Sequence, residues 1–385
     1  MELVFWISVC ILFYTYLGYG LVLTLLSALR KRQDPPTPQL FEPVTLVVPA
    51  YNEEAVMAAK IQNCFSLSYP KELLTILIVT DGSSDNTASL VASHSSILHL
   101  HQPERRGKTA ALNRAMQLVK TPFVVYSDAN ALLHPDSIQN LLRHYRDPKV
   151  GGVSGEKRIV ANDDTAVGAG ERIYWQYESM LKKADAEFYT VIGAAGELFS
   201  IRAELFEPLP ETIILDDFIL SATICRKGYR FAYDRHAYAT EGPSESIAEE
   251  QQRKNRISAG CFQALVLLKA FLNPLRNWRL TFQYVSHKVL RWTLCPLLVP
   301  LLFVSNAFLA AEGGLFYVMF FALQGCFYAF AFLGWMFSAK KGFLKPFLIP
   351  YYFVFMNLSL YIGFFRFLTG RQSAVWKRSA RRVHS

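Results

Sequence analysis

The stretch that decides the fold is "LLTILIVTDGSSDNT", Leu73–Thr87. An unbroken run of apolar and β-branched residues ends at Asp81 and gives way to a Gly-Ser turn. Ser84 or Asp85 can then cap a helix, because their side-chain oxygens accept from its exposed backbone N–H groups. A strand that does not alternate apolar with polar residues is buried on both faces, the habit of parallel sheets. Working outward, the same unit recurs. "VTLVVPAYNEE" (Val44–Glu54) predicts a strand followed by a helix to about Phe65. "ILHLHQ" (Ile97–Gln102) and "FVVYS" (Phe123–Ser127) predict further strands, with a helix from "GKTAALNRAMQLV" (Gly107–Val119) between them. Strands alternating with helices predict an α/β unit with a mostly parallel sheet.

Ligands of such sheets bind outside the carboxyl ends of the strands. Those ends carry Pro49-Ala50-Tyr51-Asn52-Glu53-Glu54, Thr80-Asp81-Gly82-Ser83-Ser84 and Asp128-Ala129-Asn130, so the three clusters should converge on one crevice. The chain has neither a G-x-G-x-x-G fingerprint nor a Walker lysine loop, which excludes the usual dinucleotide and P-loop readings. Past Val150 the alternation decays. A helical stretch is expected around Ala166–Lys183, a turn at Gly193–Gly196, and a helix opening at Asp216-Asp217.

The rest of the chain reads as membrane protein. Apolar residues make up 52% of the 385 positions, and they are unevenly placed. Leu3–Leu29 carries no charge and is long enough to span a bilayer, which takes about 20 apolar residues. The basic cluster Arg30-Lys31-Arg32 follows it rather than preceding it, so an uncleaved anchor with residue 30 onward in the cytoplasm is expected. A stiff linker, Asp34–Pro38, leaves the membrane. Three more apolar stretches, Trp292–Ala311, Gly314–Ser338 and Pro346–Gly370, sit near the end. Pro346 and Pro350 leave the last of them open to a re-entrant reading, with the basic tail 371–385 on the cytoplasmic side.

The net charge of +9 hides an asymmetry: residues 1–250 hold 23 Lys+Arg against 30 Asp+Glu, residues 251–385 hold 17 against the single acid Glu312. Because the basic half flanks apolar segments, its charges suit anionic lipid headgroups rather than nucleic acid. Basic and apolar residues interspersed over Gln251–Arg291 suit helices in the membrane interface. The six cysteines form no C-x-x-C pair and suggest neither zinc nor disulfides.

Acids at two strand ends need a positive partner. They can accept hydrogen bonds from a base or ribose, or hold a divalent cation that bridges a diphosphate. Asp128-Ala129-Asn130 is a weak signal alone, since such triplets often form a loop or cap. Asp216 and Asp217 would also suit a helix N-terminus, whose dipole favours negative charge.

Taken together and in order, "VVPAYNEE", "VTDGSSDNT", "RRGKTAALN", "YSDAN", "LDD" and "RKNRISAG" resemble the inverting family 2 glycosyltransferases. They are most similar to the membrane-anchored branch with hyaluronan, chitin, cellulose and poly-N-acetylglucosamine synthases, over about residues 43–262. The resemblance implies a GT-A-like nucleotide-binding domain. It implies that Pro49, Ala50, Tyr51 and Glu53 line the nucleotide pocket, with Tyr51 near the uracil, that Asp81 bonds the base, and that Lys108 sits beside the nucleotide. Asp128 and Asn130 take the D-x-D position, which binds Mg²⁺ or Mn²⁺ and the sugar nucleotide. Asp217 takes the catalytic-base position of T-E-D and Asp216 its Glu. Gly193–Glu197 matches the donor-sugar and acceptor segment. Arg253 and Arg256 fall on the Gln and Arg of Q-x-x-R-W, near the diphosphate. Arg105 and Arg106 are expected to face solvent.

Three positions depart from the pattern: Asn130 for the second Asp, Asp216 for Glu, and Ile257 for the Trp that stacks on the acceptor in polymerising members. The expectation is therefore an inverting transferase moving sugar from a UDP-sugar to a lipid-linked or polysaccharide acceptor at the inner membrane face. The alternatives are a processive synthase and a non-catalytic polysaccharide export component. Membrane lipids, export partners or a second copy of the chain are compatible partners. The expected organisation is an anchor at 1–32, a cytoplasmic domain at 40–250, an interfacial region at 251–291, membrane segments at 292–370 and the tail at 371–385.

Overall fold

The computed structural model describes residues 1–28, 41–160, 166–244, 246–338 and 345–373. The Arg30–Arg32 cluster, the Asp34–Pro38 linker and most of the basic tail lie outside the described residues. The chain forms two compact units: the described parts of Met1–Leu29, Ala161–Ile173 and Ser246–Gln372, and those of Arg30–Val160, Tyr174–Glu245 and Ser373–Ser385.

The second unit is built on one eight-stranded sheet. Its strands are β1 (Val44–Ala50), β2 (Leu74–Asp81), β3 (Leu98–Gln102), β4 (Phe123–Tyr126), β5 (Leu132–Leu133), β6 (Val150–Ile159), β7 (Phe199–Arg202) and β8 (Arg230–Glu241). Their order is β3-β2-β1-β4-β7-β6-β8-β5. The first four are mutually parallel, as the apolar runs predict. β7 is antiparallel to β4 and β6, while β6 and β8 run parallel.

Every residue of β1 is buried. Its alternate residues Val44, Leu46, Val48 and Ala50 join a cluster with Met57, Ile61 and Cys64 from the helix Glu54–Phe65. Burying a large aliphatic side chain stabilises by about 1.5–3 kcal/mol, and truncating one such as Leu46 to Ala would cost about 2–5 kcal/mol. Register sets the site. Ala50 pairs with Thr80, Val47 pairs with Tyr126, and Ser127 N–H donates to Val47 C=O, so the ends of β1, β2 and β4 finish side by side. The Gln102 C=O accepts from Gly82 N–H, which holds the end of β3 beside them.

The half beyond Val150 is more regular than its sequence suggests. "VGGVSGEKRI" lacks the β-branched run of the earlier strands yet forms the ten-residue β6. Its pairing with β7 and β8 overrides local propensity.

The first unit is helical. Among the described residues, four helices are long and apolar enough to cross a membrane: Glu2–Ala28, Leu294–Ala311, Leu315–Phe337 and Pro346–Leu368. Lys345–Leu368 is one continuous helix through Pro350, with Pro346 in its first turn, where a missing N–H is tolerated. It packs on the helix Ile247–Leu267, where Tyr352 donates to Glu250 at 3.2 Å.

Candidate active site

The crevice is assembled from loops that latch onto one another. Asn52 adopts a left-handed φ of 54° immediately beyond β1. Its amide oxygen accepts from Ser84 N–H at 2.8 Å, and Ser83 Oγ accepts from Asn52 N–H at 3.1 Å. The ends of β1 and β2 are thereby tied together, and backbone held in a sparsely populated region is a feature of built sites. Gly82 is also left-handed, at φ +65°, and a Cβ there would lie 2.6 Å from Arg105 N. Glycine therefore lets the turn before the helix Lys108–Leu118 close over β2.

Asp81 pins that turn. It is fully buried and accepts from Arg106 N–H at 3.1 Å, Gly107 N–H at 2.6 Å and Arg114 Nη2 at 3.0 Å. The sequence points to Asp81 as a base-binding group; the structure also gives it an architectural role, because the pinned turn delivers Lys108. Pro49 and Ala50 are buried in the end of β1, while Tyr51 and Glu53 are half-buried beyond it. Arg105, expected in solvent, instead lays its guanidinium 3.6 Å from the centre of the Tyr51 ring. Arg106 does meet solvent, in a half-exposed pair with Glu211.

Lys108 is the hub. Its Nζ donates to Asp128 Oδ1 at 2.7 Å and lies 3.6 Å from Asp216 Oδ2. Burial works against its charge, but Asp128, Asp216 and Asp217 together hold its pKa above the usual lysine value. Asp216 and Asp217 open the helix Asp216–Arg226, so the capping and catalytic readings of this pair coexist. The Asp217 pKa is raised as well, to about 7, by burial and by the charge of Asp216, which here disfavours the charged form. Lys108 and the Phe218 N–H pull it down by less, and Glu197 adds to the rise. Gly196 faces this carboxylate: a Cβ there would sit 2.9 Å from Asp217 Oδ2 and 3.5 Å from Lys108 Nζ.

Behind Asp128 runs a second set of charges, of which Lys157 and Glu241 belong to no sequence motif. Asn130 Nδ2 donates to Glu241 Oε1 at 2.7 Å. The fully buried Lys157 bonds Glu197 and lies 2.5 Å from Glu241 Oε2. A carboxylate only accepts, so the Asn130 amide must present its nitrogen to Glu241 and its oxygen elsewhere. This gives a physical reason for Asn at that position. A second carboxylate would confront Glu241.

The described residues contain no group of three His, Cys, Asp or Glu placed to hold a metal ion. The Asp128 carboxylate and the Asn130 amide oxygen, the expected metal position, would by themselves suit an ion that takes most of its ligands from a bound diphosphate and water, the habit of Mg²⁺. They do not fit one caged by protein. Arg253 and Arg256 belong to the helix Ile247–Leu267 of the other unit. There Arg253 bonds Glu171 and donates to Glu250 Oε2 at 3.0 Å, and Lys254 lies 3.6 Å from Glu250.

Residues 45–209 match the model of glycosyl transferase family 2. The chain is 27% identical over 262 residues to a poly-β-1,6-N-acetyl-D-glucosamine synthase of Staphylococcus aureus strain COL, covering 66% of this chain and 62% of the relative. It is 23% identical over 251 residues to the synthase of the same name from Staphylococcus epidermidis, covering 63% of this chain and 60% of that one. Among solved structures, the mannosyltransferase PcManGT from Pyrobaculum calidifontis, in complex with GDP-Man and Mn²⁺, superposes with a TM-score of 0.73 at 22% identity. That likeness covers 96% of this chain and 100% of that one, and at this identity it speaks to the fold.

Proposed function

We propose, from the premise that residues 45–209 are a family 2 glycosyl transferase domain on a GT-A-like fold, that the chain is an inverting glycosyltransferase. It moves a sugar from a nucleoside diphosphate sugar, UDP-linked in the first instance, to a lipid-linked or polysaccharide acceptor. The observation that carries the reading is the place of Asp217, a half-buried carboxylate in the first turn of its helix, faced by Gly196 and beside the Lys108–Asp128 pair; burial and the charge of Asp216 raise its pKa to about 7. A general base works best when its pKa lies near the operating pH.

The chemistry is one in-line displacement. Asp217 takes the proton of the acceptor hydroxyl as that oxygen forms its bond to the anomeric carbon. The bond to the diphosphate breaks on the opposite face, and the leaving group carries away the electron pair. The small Gly196 leaves room beside Asp217 for the attacking hydroxyl. Lys108, held charged by its acids, offsets negative charge beside the diphosphate. Mg²⁺ or Mn²⁺, held by Asp128 and the amide oxygen of Asn130, would neutralise charge on the leaving diphosphate when bound. Tyr51, with Arg105 over its ring, and Glu53 are proposed to contact the nucleotide.

The four long apolar helices support a multi-pass membrane protein, and the Arg30-Lys31-Arg32 cluster after the first of them favours a cytoplasmic transferase domain. The names of the Staphylococcus relatives favour a second reading, a processive synthase of an N-acetylglucosamine polymer. Ile257, which offers no aromatic face, favours shorter products, and product length on a gel separates the two. The test of the activity is UDP release by purified membranes against a panel of UDP-sugars, with and without Mn²⁺. No sugar-dependent release with any donor, GDP-mannose included, would refute it.

A further inference from the structure

One buried lysine outside the proposed crevice chemistry contacts the Asp128 segment. Lys60 sits in the helix Glu54–Phe65 with its side chain fully buried. Its ammonium donates to Ser127 Oγ at 2.7 Å and to the Ala131 carbonyl at 2.5 Å. A buried ammonium is costly unless it is hydrogen-bonded, yet no carboxylate takes either of these bonds. What they join is informative. Ser127 and Ala131 are the entry and exit of the five-residue segment that carries Asp128 and Asn130. Ser127 Oγ also donates to the Glu197 carbonyl at 3.0 Å, which ties the same segment to the loop facing Asp217.

Two further contacts fix the segment from the same side. Asn63, one turn along the helix, donates through Nδ2 to Leu133 C=O at 2.8 Å and accepts from Leu133 N–H at 2.8 Å. The helix therefore grips the chain on both sides of Asp128. Burial pulls the Lys60 pKa down, and the charges of Cys64 and Asp128 oppose that. The segment thus has lysines on two sides, Lys108 in the crevice and Lys60 behind it.

We propose that Lys60 is a positioning residue for the metal and nucleotide site: its ammonium clamps Ser127 to Ala131 and so aims the Asp128 carboxylate and the Asn130 amide into the crevice. Lys60 touches no substrate itself and acts through the segment it holds. This inference rests on the glycosyltransferase reading of that crevice.

The test uses the full-length protein in detergent, with UDP and Mn²⁺ as probes and UDP affinity measured by titration with and without the ion. Lys60→Met matches the apolar stem of the side chain and removes the ammonium with both donated bonds. Residues behind metal ligands are typically worth about 10–100-fold in metal affinity, and Lys60→Met is expected to weaken Mn²⁺-supported UDP binding by that factor. Lys60→Gln, which keeps a neutral donor, should fall between. Ser127→Ala removes one arm of the clamp together with the bond to the Glu197 carbonyl and should cost up to about 30-fold, the worth of two hydrogen bonds. A role in packing alone would lower the melting temperature of Lys60→Met while leaving the UDP and Mn²⁺ affinities of the folded protein unchanged, which overturns the inference. Should Lys60→Met fail to fold, unchanged binding by Ser127→Ala overturns it instead. A parent protein that binds no nucleotide refutes the reading of the crevice itself, a separate outcome.

Discussion

Replacing Asp217 by Asn should abolish sugar transfer and, above neutral pH, make the folded protein more stable. The carboxylate rises from an ordinary 3.8 to about 7 in the fold. The folded state therefore holds this proton more tightly than the unfolded chain does. Between about pH 4 and 7, stability falls as pH rises, and above 7 the full cost is present. Three units at about 1.4 kcal/mol each set an upper bound of about 4 kcal/mol, and partial exposure to water cuts this to about 1–2 kcal/mol. Asparagine carries no charge and escapes that cost. Its amide oxygen can still accept from Phe218 N–H, the bond Asp217 Oδ1 now takes at 2.8 Å. Thermal melts at pH 5 and pH 8.5 should show the variant several degrees above the parent at the higher pH, with the gap narrowing at the lower. UDP release should fall by about 10²–10⁴-fold, the usual worth of a general base. In the parent, release should decline about tenfold per pH unit below about 7. A variant no more stable than the parent at pH 8.5 would refute the charge argument, and retained transfer would refute the assignment of the base.

Other residues give independent checks. Asn130→Asp sets a carboxylate against Glu241, 2.7 Å from the present amide nitrogen, so it should raise the Mn²⁺ needed for UDP release. Asn130→Asp combined with Glu241→Gln should restore it, and a metal response unaffected by either change removes Asn130 from the site. Gly196→Ala drives a methyl to 2.9 Å from Asp217 Oδ2. It should cut turnover at least tenfold (about 1.4 kcal/mol) with little change in UDP affinity, and wild-type turnover would contradict the cramped geometry. Arg253→Gln leaves the buried Glu171 and Glu250 short of a cation. Breaking a buried pair costs about 3–5 kcal/mol, so the melting temperature should drop clearly; an unchanged value would mean that Lys254 and Tyr352 suffice.

The first half of the fold was legible because its strands are buried on both faces and therefore spelled in unbroken apolar runs. Leu74–Asp81 and Val44–Ala50 could scarcely be anything else. β6 and β8 were not legible. They carry Lys157 and Glu241, whose charges are neutralised by partners distant in sequence, and a local pattern cannot show that pairing. The site divides the same way. Asp128 and Asp217 stand at element ends, where polarity changes abruptly and chemistry is expected. Lys157 and Lys60 lie inside a strand and a helix, where a lysine reads as a surface residue until its burial is seen. The packing of Arg105 on Tyr51 depends on how far Gly82 lets a turn close, a distance that residue identities do not state.

The placement of β7 bears on how the chain is made. β4 is finished at Tyr126, but the neighbour on its far side, β7, begins at Phe199. A ribosome adding about 5–20 residues per second leaves that strand edge bare for several seconds. In that interval β1 to β4 form a sheet with an open, apolar rim, the kind of edge that invites pairing with another chain. A chain arrested near residue 190 should accordingly be more protease-sensitive and more prone to associate than one arrested near residue 245, once β8 has joined. Membrane insertion of the apolar Glu2–Ala28 helix before this window opens would hold nascent chains apart while the rim waits for its partner.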